Sequence, residues 1–150
     1  MKPQKTWIVI ANGGEARIYL NEGRLDGVHE IDGMAFHTEH LPAREIMADR
    51  PGRSFDSVGG GRHAMEDPSD PAEQREAEFA RQIADATRKG LSEHRYNRLS
   101  VVASPAMLAH LRQALPADVR ARVHAEIDKD YTKTPITDLA DLLRRVNAID

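Results

Sequence analysis

The sequence predicts an α/β domain of the α+β kind, with one mixed β-sheet of about five strands and helices packed on it. Three observations point there. Two β-prone runs, Thr6–Ala11 and Glu15–Leu20, flank Asn12-Gly13-Gly14, and Asn-Gly between such runs is a strong hairpin signal. Beyond residue 70, amphipathic helical stretches alternate with short apolar runs, the pattern of strands joined by right-handed crossovers. A chain of 150 residues with 40% apolar side chains suits one core, and a single domain over residues 1–150 is expected.

The elements follow in order. Thr6–Ala11 (TWIVIA) is a short, continuously apolar strand, and its lone Trp7 reads as core. Asn12 and Gly13 both accept positive φ, so a tight turn is expected before the alternating strand Glu15–Leu20. Asn21–Arg24 forms a second turn and Leu25–Met34 a third, more polar strand, completing a meander. From about 35 to 70, Pro42, Pro51, Pro68, Gly52 and Gly59-Gly60-Gly61 interrupt any apolar period. Leu41–Ala48 allows one or two helical turns, which Pro51-Gly52 would stop. A connection this long within a domain is either functional or disordered.

Asp67-Pro68-Ser69-Asp70-Pro71 is a helix start. The helix it opens runs to about His94, with Phe79, Ala80, Ile83, Ala86 and Leu91 on one face. Its acids Glu73, Glu76 and Glu78 come early and Arg88, Lys89 and Arg95 late, as the helix dipole favours. Leu99–Ala103 is a buried strand, and Ser104-Pro105 is expected to cap a helix over Ala106–Leu115. A short helix within Pro116–Arg122 precedes the alternating, half-exposed strand Val123–Asp128. Thr134-Pro135 is expected to cap a last helix carrying Leu139, Leu142, Leu143 and Val146. The order is βββ–loop–α–β–α–β–α.

Composition excludes several function classes. The chain has no cysteine, hence no disulfide framework, thiolate metal site or cysteine nucleophile. Its 21 basic and 24 acidic side chains leave a net charge of −3, which excludes coating nucleic acid by bulk charge. Aromatics at 5% argue against a base-stacking platform. The apolar run Trp7–Ala11 is too short for a signal-peptide core, and no membrane span is legible, so a cytoplasmic location is expected.

The stretch richest in chemistry is Arg44–Glu66. It sets Arg44, Arg50, Arg53, Arg62 and His63 against Glu45, Asp49 and Asp56, and is locally more basic than the chain. Gly59-Gly60-Gly61 lets backbone amides approach a phosphate closely. It is not a P-loop, because no Gly-Lys-Ser/Thr follows. The candidate binding residues are therefore Arg44, Arg50, Arg53, Gly60, Gly61, Arg62 and His63, against the plainer alternative of a surface loop whose charges pair with one another. His37, His40 and His63 with Asp49 or Glu66 resemble zinc donors in type, but form no metalloenzyme signature. Asp49, Asp56, Asp128 and Asp130 are the acids a two-metal nuclease would require, with nothing fixing their geometry. Ser54, Ser57 and Ser104 lack a nucleophile-elbow sequence. No cofactor, metal or catalytic residue is assigned.

Several segments together resemble the bacterial host attachment protein family. They are WIVIANGG at 7–14, HLPARE at 40–45, DRPGRSFDS at 49–57, GRHA at 61–64, LSVVASP at 99–105 and EIDKD at 126–130. The family is similar in turn to the middle domain of archaeal and eukaryotic class-1 release factors and of the ribosome-rescue factor Pelota. That resemblance implies a ribonuclease H-like variant of a mixed sheet. It also implies an exposed Gly-Gly-Gln loop before a long charged helix. Gly60-Gly61-Arg62 stands at that place, with arginine where the glutamine would be, so peptide-release chemistry is not expected. The expected function is a non-catalytic, cytoplasmic module contacting RNA or the ribosome through residues 44–63. Support of host attachment is the alternative, and a metal-dependent hydrolase or nuclease the third reading.

Overall fold

The computed structural model describes residues 4–38 and 71–150. Its strands are β1 (Thr6–Ala11), β2 (Glu15–Asn21), β3 (His29–His37), β4 (Arg98–Ala103) and β5 (Val123–Ile127). Its helices are α1 (Pro71–Ser92), α2 (Pro105–Ala114), the single turn α3 (Ala117–Arg120) and α4 (Ile136–Arg145). The five strands form one sheet in the order β3-β2-β1-β4-β5. β1 pairs antiparallel with β2 and parallel with β4, and β5 is parallel to β4. The mixed α+β sheet expected from the sequence is therefore the observed fold.

The period-two alternation of a strand explains the layering. Trp7, Val9 and Ala11 of β1 enter one core with Phe79 and Ile83 of α1 and with Met107 and Leu111 of α2. Ile8 and Ile10 enter a second core on the opposite face, with Leu139 and Leu143 of α4 and with Ala148 and Ile149. β1 is thus buried throughout, which is why its sequence is continuously apolar rather than alternating. β5 lies at the sheet edge and alternates, as expected.

Trp7 stacks on Tyr96 with ring centroids 4.7 Å apart, and the Arg95 guanidinium lies 5.3 Å from the Trp7 ring centroid. The Tyr96 hydroxyl donates to the Thr87 carbonyl at 2.7 Å, satisfying a buried polar group. Burial, reinforced by the charge of Asp118, pushes the Tyr96 phenol pKa well up, so it stays neutral.

Helices α1 and α4 each end in a Schellman motif whose left-handed residue is not glycine. In α1, the Arg95 amide donates to the Gly90 carbonyl and the His94 amide to the Leu91 carbonyl, with His94 at φ +60°. In α4, the Ala148 amide donates to Leu143 and the Asn147 amide to Arg144, with Asn147 at φ +61°. The second motif turns the chain so that the buried Ser100 hydroxyl donates to the Ala148 carbonyl at 2.6 Å, tying the C-terminal residues to β4.

Four local expectations are corrected. The third strand is His29–His37 rather than Leu25–Met34. Residues 22–27 belong instead to a turn organised by Asn21, whose buried amide donates to the carbonyls of Gly23, Asp26 and Gly27. Leu25, expected to begin the strand, stands fully exposed at that turn. Between the pairs Arg17↔Ala35 and Tyr19↔Glu30, Ile18 alone faces residues 31–34, a large bulge in which Gly33 takes φ +79°. Neither Asn12 nor Gly13 takes a positive φ, because the Asn12 side chain closes that turn. Ser104 and Thr134 make no capping bond through their side chains: Ser104 holds the N-cap by backbone alone, and Pro135 occupies the N-cap of α4.

Two substitutions should change stability with opposite signs. A Cβ on Gly90 would lie 2.4 and 2.6 Å from Trp7 ring atoms, so Gly90→Ala should destabilise by about 1–3 kcal/mol despite alanine's better helix propensity. His94→Gly should stabilise by about 1 kcal/mol by relieving the left-handed backbone. Urea unfolding midpoints check both, and a neutral Gly90→Ala would refute the close packing described.

Candidate functional site at the carboxyl edge of the sheet

β1, β4 and β5 run parallel, so their carboxyl ends share one edge of the sheet. From that edge the chain leaves β1 toward β2 on one side, and leaves β4 through α2 toward β5 on the other. Divergence of this kind opens a crevice beyond the strand ends, where open α/β sheets place their ligands. The residues standing there are Asn12-Gly13-Gly14-Glu15 after β1, Ser104 after β4 and residues 128–133 after β5.

Asn12 is the organising side chain. Its Oδ1 accepts from the amides of Gly14 at 2.8 Å and Glu15 at 2.9 Å, replacing the backbone carbonyl of a conventional tight turn. Its Nδ2 donates to Asp130 Oδ2 at 3.1 Å and to Thr132 Oγ1 at 3.0 Å. Asp130 Oδ1 in turn accepts from the Thr132 hydroxyl at 2.6 Å and the Thr132 amide at 2.9 Å. Lys133 donates to Glu15 Oε2 at 2.7 Å, making a second bridge between the two loops. The β1–β2 hairpin and the β5–α4 loop are therefore latched by a network of side-chain hydrogen bonds. Burial pushes the Asp130 pKa up, but the bonds from Thr132 and Asn12 and the charge of Lys133 outweigh it and hold the group below its ordinary value. The bond to Glu15 raises the Lys133 pKa.

Beside the latch, Gly13 lies under the Glu76 carboxylate of α1: a Cβ there would sit 2.5 Å from Glu76 Oε2. Glu76 also approaches His110 of α2 at 3.9 Å. A cleft lined by Gly13, Gly14, Glu15, His37, Glu76 and Lys133 meets, at His37, a second cleft lined by Thr38, Pro71, Arg75 and Phe79. Arg75 Nη1 is buried with no hydrogen-bond partner among the described residues. Glu78, on the same cleft, pairs with Arg81 at 2.6 Å. A further cleft lies among Glu22–Asp26, Arg144 and Asp150, where the Arg144 guanidinium is occupied by the carbonyls of Arg24, Asp26 and Asp150. Those bonds make it a joint of the fold rather than a place with donors to offer.

The sequence-predicted binding residues Arg44, Arg50, Arg53, Gly60, Gly61, Arg62 and His63 lie outside the described residues, as do His40, Asp49, Asp56, Ser54, Ser57 and Glu66. The segment that carries them leaves from Thr38 and rejoins at Pro71, and both residues line one cleft. His37 is at that cleft, and Asp130 is in the latch rather than in an acidic pair with Asp128. Among the described residues, no three His, Asp or Glu side chains gather to hold a metal ion. No helix among them is long and apolar enough to cross a membrane. Sequence reasoning missed Asn12, Glu15, Thr132, Lys133 and Glu76 as one group. Asn12 reads from sequence as a turn residue, and 118 residues separate it from Asp130, so no local pattern links the two.

The latch carries a pH signature. Because the folded pKa of Asp130 is depressed, its stabilising contribution is fully present above the unfolded value of about 3.9 and is lost as pH falls through the lower folded value. Thr132→Val, which removes a donor to Asp130, should lower the unfolding midpoint at about pH 7 and approach wild type at about pH 2. A constant difference across that range would show that Asp130 is not the group involved.

A family comparison matches residues 7–143 to the family described as "Protein required for attachment to host cells". No curated protein matches the chain. The match spans the sheet, α1, α2, α3 and most of α4. The chain belongs to this host attachment family.

Proposed function

We propose that the chain is a non-catalytic, cytoplasmic binding module that contacts RNA or the ribosome through residues 44–63. One observation carries the reading: Thr38 and Pro71, which flank the locally basic segment in the chain, line the same cleft, and that cleft meets the one beside the Asn12 latch at His37. Arg44, Arg50, Arg53 and Arg62 all fall between these two positions in the sequence, and arginine offers planar, multi-donor contacts to phosphate. The bonds among Asn12, Asp130, Thr132, Glu15 and Lys133 join two loops, a supporting role for these side chains. The partner class itself comes from the resemblance to release-factor middle domains.

The family's description favours a second reading, in which the protein supports attachment of the bacterium to host cells. Absence of cysteine makes a role exerted from inside the cell the simpler form of that reading.

Co-sedimentation with ribosomes at low salt tests the first reading. Wild type should pellet with ribosomes, lose binding as salt rises, and fall to background when Arg50, Arg53 and Arg62 are all replaced by Ala. A wild-type protein that stays in the supernatant at every salt concentration ends this reading. Loss of adhesion in a deletion strain, with the protein recovered outside unlysed cells, would establish the second in its direct form.

A further inference from the structure

The latch contains a reactive bond. Asn12 is followed by Gly13, the pairing in which the backbone amide nitrogen meets least steric resistance to attacking the preceding side-chain amide. In that reaction the Gly13 nitrogen bonds to Asn12 Cγ, the Cγ–Nδ2 bond breaks, and the nitrogen of the carboxamide departs as ammonia. Solvent water then opens the resulting succinimide to aspartate or isoaspartate. One water is consumed, one ammonia is released and nothing is oxidised or reduced.

We propose that Asn12 is a deamidation site kept unreactive by the folded latch, and that its conversion releases the β5–α4 loop from the hairpin. Two sets of observations carry this. The Gly13 amide makes no hydrogen bond among the described residues, and residues 12–14 are only partly buried, so both the nucleophile and the hydrolytic water are available. Against that, the Asn12 side chain is fixed by the four bonds to Gly14, Glu15, Asp130 and Thr132, and Cγ cannot swing toward the Gly13 nitrogen until they open. The leaving nitrogen is itself the donor to Asp130 and Thr132, so the latch protects the atom that the reaction expels.

The product cannot remake the latch. Where Nδ2 now donates to Asp130 Oδ2 at 3.1 Å, a carboxylate oxygen would face a carboxylate oxygen, and like charges at that range repel. In the aspartate product the Asx turn survives, since the carboxylate still accepts from Gly14 and Glu15, and the long-range half of the network is lost; in isoaspartate the main chain runs through Cγ, and the turn is lost with it. The modification therefore adds a negative charge at the strand-end crevice and frees the loop beside it, irreversibly.

Ageing the full-length protein at neutral pH tests the proposal by peptide mass mapping of residues 10–17, with a synthetic peptide of the same residues as the unfolded reference. Folded wild type should convert at least about tenfold more slowly than the peptide, and Thr132→Val faster than wild type. Amide hydrogen exchange at residues 130–133 should be faster in Asn12→Asp than in wild type. The deamidated fraction of aged wild type, separated by ion exchange, gives the same measurement on a chain that folded before it was modified. Conversion of the folded chain at the peptide's rate would overturn the protective role. Wild-type exchange at 130–133 in the deamidated protein would overturn the release.

Discussion

Six consecutive residues, Thr6–Ala11, have hydrogen-bonded strands on both edges and a hydrophobic core on each face, and every other element takes its place from that strand. Each of the fully buried Ile and Val side chains there contributes roughly 1.5–3 kcal/mol. The larger effect is geometric. Trp7, Val9 and Ala11 commit α1 and α2 to one face, and Ile8 and Ile10 commit α4 to the other. A one-residue slip against β2 or β4 would exchange the two cores, so the register is strongly determined.

That register sets the site. With Ala11 paired to Ala16 and to Ala103, Asn12 emerges at the carboxyl edge as the first residue beyond the buried strand. Its amide is the point where an antiparallel hairpin and a parallel crossover loop meet. The carboxamide suits the position because it both accepts and donates: one atom closes the turn and the other reaches Asp130 and Thr132. The latch, the two clefts meeting at His37 and the two chain positions flanking the Arg/Gly segment all lie at this end.

The strands and helices were legible because their periods are. TWIVIA, the amphipathic α1 and the alternating VHAEI each announce their burial. The third strand was placed too early, since Leu25 looks like the start of a strand while a buried Asn21, three bonds deep in its own turn, keeps the chain from extending until His29. The Asn12-Gly13 hairpin was read correctly as a turn, though for a conformational reason the structure does not use. The family, too, was legible, through motifs spread over nearly the whole chain.

The fold class, the strand buried on both faces and the locally basic composition of residues 44–63 follow from residue type and near-neighbour spacing alone. The union of Asn12 with Asp130 and Thr132, the Glu76 carboxylate over Gly13 and the cleft shared by Thr38 and Pro71 arise in the folded chain. Those contacts are between residues far apart in the chain. They come together only when β1 pairs in parallel with β4 and carries their loops to one edge of the sheet.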